Sequence, residues 1–508
     1  MKFKILFLLI FVTGFFACTD LEENLNEDLT TAQAREFLNA NTDINALLFS
    51  SYEGMRVPYA GWGGRNWALS QHTSDETIGP TRGPDWDDNG AWRSLHNHTW
   101  GTDQVDIVNA FNDLLQVVFS TTNLLSFDVA SDQQKAEAKF LRAFVMFTVA
   151  DNWNQVPFRE PGDNLLNPSN VLKGAEALDF IISECNSIIN NLPDGPANRA
   201  NKDAAKVLLM KCYLNKGAFA DRQSPKFENS DMQQVITIAD QIISSGKYSI
   251  DDNYFDNFAP NNDDVSSENI YTLENRAGNS NFDCFQYFWY SGLHYNQTPS
   301  GWNGFATLSD FYDSFEQNDV RRYTEYPGIF EKGHIANGFL VGQQYNAAGE
   351  PLKDRKGNNL AFTREVKLKE TGNDLEITGI RVMKYPIDYN NGAYPDNDLV
   401  FFRYADVMLM KAEAQHRTGN AAGALAIVND IRTARNASTL GSIDLDGLLA
   451  ERGRELYWEG WRRQDLIRFG KYLRAYQEKP ASGPERLLFP IPAAQLAVNP
   501  NLEQNPGY

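Results

Sequence analysis

Apolar residues recur at helical spacing over two long stretches of the chain and lose that regularity between them. Phe140, Phe144 and Phe147, with Leu141, Val145 and Thr148, mark one face of a helix expected between Asp132 and Asn152. Ala205, Leu208, Leu209 and Cys212 then fall at i, i+3, i+4 and i+7, the spacing of a buried helix stripe. Ala405, Met408, Leu409 and Ala412 repeat that spacing much later. Alanine on such a stripe lets a neighbouring helix approach closely, and paired helices with alternating large and small residues are the pattern of tetratricopeptide-type hairpins. A helix over Ala424 to Thr433 follows the turn at Gly419–Asn420, and a further helix is expected from about Leu445 to Phe469.

The middle of the chain, about residues 251–399, reads differently. It is rich in Asn, Gly, Tyr and Pro, and its apolar runs, such as Glu268 to Leu273 and Gly379 to Lys384, are short. This pattern predicts loops, short strands and a few short helices inserted into a helical scaffold. Loops held by a rigid scaffold are where binding residues concentrate. The last stretch, Phe489 to Tyr508, is Pro- and Asn-rich and is expected to lie extended over the surface. The organisation predicted is one unit over 31–508. It is mainly α, with a scaffold at about 31–250 and 400–475, a loop-rich insertion at 251–399 and an extended segment at 476–508.

The first residues address the compartment. Lys2 and Lys4 precede an unbroken apolar run from Ile5 to Val12, and small or neutral residues lead to Cys18. A charged start, a short apolar core and a small residue before the cut describe a secretory signal over 1–17. The run is too short for a spanning helix, which needs about 20 residues. Cys18 directly after Ala17 resembles the bacterial lipobox, with Phe15 where most such motifs carry Leu; a lipidated Cys18 would anchor the protein to the membrane. A signal cut elsewhere would leave Cys18 incidental. Asp20, Glu22 and Glu23 open a polar tether over 18–30.

Composition narrows the partners. Lys and Arg total 46 against 66 acidic residues, a net charge of −20, which opposes binding to the phosphates of nucleic acid. Of four cysteines, Cys185 and Cys212 fall inside apolar helical patterns and read as small core residues, and no CxxC pair occurs. No HExxH, GxSxG, GxGxxG or P-loop pattern is present. His96 and His98 lack supporting zinc-ligand spacing and read as rim or core histidines. No catalytic residue, metal or cofactor is therefore expected. The charged run Arg452, Arg454, Glu455, Glu459, Arg462 and Arg463 reads as ion pairs locking helices together.

Binding chemistry concentrates in two aromatic loops. Thr73 to Trp100 sets Trp86, Trp92 and Trp100 among Gly, Pro, Asp and Asn with no helical or alternating period. Tryptophan held at a surface offers a broad apolar face with a polar N–H at its edge. Sugars present apolar C–H faces ringed by hydroxyls, and so call for both a stacking platform and polar partners. Asp75, Arg82, Asp85 and Asn89 are candidates for those hydrogen bonds. The second loop, Tyr287 to Phe305, offers Tyr295 and Trp302. Trp86 and Trp302 are the leading platform candidates. Trp92 joins the candidate set, although Trp92 and Trp100 both suit a plug between loops and helices. Trp62 and Arg65, in Gly61 to Trp67, are weaker candidates.

Four motifs carry a family resemblance over nearly the whole chain. FLRAFVMFTVADNWNQVPF (Phe140 to Phe158), FRYADVMLMKAEAQHRTGN (Phe402 to Asn420), ERGRELYWEGWRRQDLIRFGKY (Glu451 to Tyr472) and LFPIPAAQLAVNPNLEQNPGY (Leu488 to Tyr508) resemble, in order, those of the SusD/RagB nutrient-binding lipoproteins. The resemblance implies a tetratricopeptide-like scaffold carrying an irregular ligand-binding region. It also implies a surface-facing, lipid-anchored outer-membrane protein that captures glycan without altering it and delivers it to a SusC-like TonB-dependent transporter. Peptide cargo, a surface glycosidase and a pure interaction scaffold are the competing readings.

Overall fold

The computed structural model describes residues 31–61, 64–277, 287–392 and 394–508. The expected signal, Cys18 with its tether, Trp62 and Cys284 lie outside the described residues. The chain divides after Asp43 into two compact units. In the first, Thr31–Asn41 is a helix, and Asn41 Nδ2 donates to the Phe37 carbonyl near its end at 2.8 Å. The second, Ile44 to Tyr508, carries everything described below.

Five successive helices, Val105–Leu124, Asp132–Trp153, Gly174–Ile188, Lys202–Ala220 and Asn229–Ser244, each pack on the next. Their starts follow from local chemistry. The Gln104 side chain accepts from the Ile107 amide, Asn201 accepts from Ala204, and Ser131 with Gln134 closes a capping box. Each satisfies amide donors that the first helical turn leaves without partners. Phe140 to Ala150 are buried on every side of their helix, so the central helix is sheathed by its neighbours. The chain then leaves the scaffold. It returns at Tyr404–Arg417, which packs on Asn229–Ser244 and continues into Ala421–Ala434 and Leu445–Leu456.

A two-stranded antiparallel ladder closes the base of the excursion. Asn269–Leu273 pairs with Leu399–Arg403, Leu399 opposite Leu273 and Arg403 opposite Asn269, and both strands are wholly buried. Inside the excursion, a small sheet orders Arg381–Met383, Asn337–Leu340 and Tyr323–Thr324 side by side.

A buried charge network locks the returning helices to that ladder. Glu455 faces Arg403 at 2.7 Å, Arg435 at 2.9 Å and Arg321 at 2.9 Å, and Glu268 takes further bonds from Arg403 and Arg435. Burial alone would raise such carboxyls, but the arginines around them win: Glu451, facing Arg321, and Glu413, facing Arg468, are held down to about 2. The charged run seen in the sequence is thus structural. Most of its pairs join distant segments, as in Arg452 with Asp406 at 3.0 Å, and few run along one helix.

Two expectations need correction. The helix expected from Leu445 to Phe469 is two helices, Leu445–Leu456 and Arg462–Arg468. Trp458 and Gly460 between them adopt φ of 59° and 85°, which no right-handed helix continues through, and the Trp458 amide donates to buried Glu76 at 3.1 Å. Nor does Phe489 to Tyr508 lie wholly extended over the surface: Ala493–Val498 is a helix, and buried residues alternate with exposed ones. Phe489 and Ile491 are fully buried, and Asn505 donates to the Trp153 and Phe489 carbonyls. The polar composition of this segment serves internal hydrogen bonds, which composition alone cannot distinguish from solvation.

Candidate functional site

The early aromatic loop and the middle insertion are stitched together by backbone. Ile78 exchanges both amide–carbonyl bonds with Ala306, at 2.8 and 3.0 Å, and Thr81–Arg82 runs parallel to Lys369–Glu370. Trp302, Asn303, Gly304 and Phe305 bond in turn to the carbonyls of Tyr290, Leu293 and Ser291. These contacts set residues far apart in sequence on one face.

Trp86 and Trp302 meet there. The Trp86 indole N–H donates to the Trp302 carbonyl at 2.9 Å, and the Trp86 ring lies over Gly304, where any side chain would strike it. Trp86 takes φ of 60°, an unfavourable conformation for a bulky residue, stabilised by this bond and by contact with buried Phe305 at 5.0 Å between rings. Trp302 stacks on Tyr290 at 5.7 Å with planes 25° apart. Trp92 packs edge-on against Phe305 at 5.2 Å, and its N–H donates to Asp88 at 2.8 Å. All four aromatics are half-buried, one part seated on the core and the rest open to solvent.

A polar network borders them. Tyr295 donates to Asp85 at 3.3 Å, and the Arg355 guanidinium lies 4.1 Å over the Tyr295 ring. Arg355 also pairs with Glu376 at 2.7 Å, and Glu376 faces His294 Nε2 at 2.9 Å. Burial lowers the His294 pKa, against the pull of Glu376. Asp85, Asp88 and Asn89 are exposed. The edge therefore combines acceptors, a guanidinium and open aromatic faces.

The remaining expected residues stand elsewhere. Asp75 is buried, taking Arg462 at 2.6 and 2.9 Å and Arg474 at 3.0 Å. Although burial opposes it, that pairing lowers its pKa. Arg82 is also buried and spends its donors on the carbonyls of Leu375 and Gly304 and the hydroxyl of Thr378. Both hold the site's framework, and neither reaches its open face. Trp100 is in the core, donating to the Tyr508 hydroxyl at 2.7 Å. Arg65 pairs with Asp113 at 2.9 Å. His96 and His98 are buried between hydrogen-bond partners, Thr77 and Gln477 for the first and Thr73 and Ser482 for the second.

Sequence reasoning missed Tyr290, Arg355 and Glu376 as site residues. Tyr290 carried a signal, since it ends the contiguous Phe288, Trp289, Tyr290 run whose first two members are buried. Arg355 and Glu376 lie in hydrophilic stretches with no distinguishing pattern.

The molecule is a helical scaffold with a loop-rich excursion that bears an open aromatic face with a polar edge. Residues 239–483 match the model of the SusD family. The chain is 26% identical to the starch-binding protein SusD of Bacteroides thetaiotaomicron, over 75% of this chain and 74% of that one. A SusD superfamily protein from Parabacteroides distasonis superposes with a TM-score of 0.71 at 18% identity, covering 95% of this chain and all of the other. A laminarin-binding SusD-like protein superposes at 0.67 and 22% identity, covering 92% and 99%. The similarity to the SusD family thus spans residues 239–483 by the family model, and the fold of its solved members is shared over most of the chain.

Proposed function

We propose that this protein is a non-catalytic, cell-surface glycan-binding protein that captures oligo- or polysaccharide on the face formed by Trp86, Trp302, Tyr290 and Tyr295. The observation that carries the reading is the convergence of Trp86 and Trp302, the Trp86 indole N–H being bonded to the Trp302 main chain while both residues stay partly exposed. Half-open aromatic planes suit the C–H faces of sugar rings, and Asp85, Asp88 and Arg355 suit their hydroxyls. Peptide capture would be favoured by burial of both tryptophans, and neither is buried. The names of the starch- and laminarin-binding relatives support the same cargo.

In this reading the signal at 1–17 exports the chain, Cys18 carries the lipid that holds it to the outer membrane, and a SusC-like TonB-dependent transporter receives the ligand. Calorimetry of the protein against a panel of polysaccharides tests the cargo. Saturable binding to at least one glycan is expected, with no release of reducing ends. Silence across the panel would sink the glycan reading. Radiolabelled palmitate entering the wild-type chain but not Cys18→Ala tests the anchor.

A further inference from the structure

The excursion holds a second cleft whose lining residues are separate from those of the Trp86–Trp302 face. It offers about 660 Å³, within the range of small-molecule sites, and is lined by Tyr312, Arg322, Tyr323, Phe330, His334 and Tyr345 among others. Tyr323 and Tyr345 are 51% and 42% exposed and line the same cleft.

Arg322 is the decisive group. It is half-buried against the Tyr312 ring, 4.3 Å from the ring centre, and donates to the Tyr312 hydroxyl at 2.6 Å. Among the described residues it pairs with no carboxylate. Two other arginines that lack a carboxylate, Arg82 of the early loop and Arg381 of the excursion, spread their donors over several carbonyl and side-chain oxygens. Among the described residues Arg322 has one phenol as acceptor, which leaves further donors of its fork without a protein partner on the lining of the cleft. His334 lines the same cleft at a φ of 51°, and its Nδ1, a buried atom, has no hydrogen-bond partner among the described residues. Glu325, also on the lining, already accepts from the Tyr323 hydroxyl at 2.9 Å.

We propose that this cleft is a second binding site, for a saccharide bearing a carboxylate, with Arg322 as its anchor. A guanidinium fork takes a carboxylate through two parallel hydrogen bonds, and partial burial strengthens the pairing. Tyr323 and Tyr345 offer flat apolar faces to the pyranose rings beside it. The site recognises uronate residues within a chain that the first face captures through its neutral units, or in a separate acidic glycan.

The test uses the full chain carrying Trp86→Ala and Trp302→Ala, which removes the first face. Short oligogalacturonides and oligoglucuronides, each paired with its neutral methyl ester, are titrated by calorimetry and by saturation-transfer NMR. At least one acid is expected to bind, with its ester weaker by about tenfold or more. Adding Arg322→Met should cost about tenfold in affinity, and Arg322→Lys, which keeps the charge but not the fork, should fall between. Melting curves confirm that each variant is folded, and in the chain with both tryptophans intact Arg322→Met leaves binding of neutral glycan unchanged. Three results would each overturn the proposal: neither acid binds, acid and ester bind equally, or an oligoglutamate peptide binds as tightly as the acids. If Arg322→Met does not fold, Arg322→Lys binding the acids as tightly as the parent overturns it.

Discussion

The indole N–H of Trp86 donates to the backbone carbonyl of Trp302 at 2.9 Å, joining two loops that lie 216 residues apart. The bond does two things at once. It satisfies a donor that would otherwise be partly desolvated, and it ties the Trp86 ring to the backbone of the loop that carries Trp302. A platform whose two halves are positioned before ligand arrives avoids the entropy of ordering them on binding.

Because the acceptor is a main-chain oxygen, Trp302→Ala leaves Trp86 in place. This variant should lose glycan affinity by about tenfold, roughly one stacking contact, with a small change in melting temperature. Trp86→Ala should lose comparable affinity and also about 1–2 kcal/mol of stability, since it forfeits the hydrogen bond and the contact with Phe305. Calorimetry alongside urea melts separates the two. Equal stability losses would contradict the asymmetry of the pair.

Gly304 lies directly beneath the Trp86 ring. Gly304→Ala places a methyl group where the ring sits and should expel the indole from its seat. Binding is expected to fall as far as in Trp86→Ala, although Trp86 is still present. Fluorescence should report it, as the emission of a more solvated indole shifts to the red relative to wild type.

Asp75 and Asp85 lie ten positions apart and should respond in opposite ways. Asp75→Asn leaves buried Arg462 without its carboxylate and should cost about 3–5 kcal/mol, while the folded fraction binds glycan normally. Asp85→Asn, at an exposed position, should leave stability within about 0.5 kcal/mol and weaken binding. A denaturation midpoint and a dissociation constant for each variant decide the matter.

Stability should peak between an acidic and an alkaline limb. Glu413 and Glu451 are depressed to about 2 from an ordinary 4.5, so the unfolded chain binds more protons between those values. Their contribution is complete above 4.5 and disappears as pH falls through 2. His72, buried and lowered to about 3, adds to the same limb from 6.5 downward. Glu76 runs the other way. Burial raises it to about 8, so the folded state keeps a proton that the unfolded state releases above 4.5. Stability from that source is complete below 4.5 and falls as pH rises through 8. Glu76→Gln should therefore flatten the decline between those values. Asp398, raised to about 7 by burial, keeps some of the slope in place. Melting temperatures from pH 2 to pH 9 would reveal both limbs.

Much of this protein could be read from its sequence. The helical stripes around Phe144, Leu208 and Leu409 follow from a periodicity that local physics imposes, because a helix buries one face whatever its neighbours are. The four motifs that carry the family resemblance were equally legible, as was the concentration of aromatic and polar residues in two loops. Tertiary structure decided which of those aromatics serve. Trp86 and Trp302 stay open while Trp100 and Trp289 are buried, a choice made by the Ile78–Ala306 pairing and by the fold of residues 290–305. It likewise turned Asp75 and Arg82 into framework, because their partners, Arg462 and the carbonyls of Gly304 and Leu375, lie hundreds of residues away. It broke the helix at Trp458 and drew Phe489 into the core. Local pattern reports what a segment can bury; which groups fill that space, and which polar atoms they satisfy, is set only when distant segments meet.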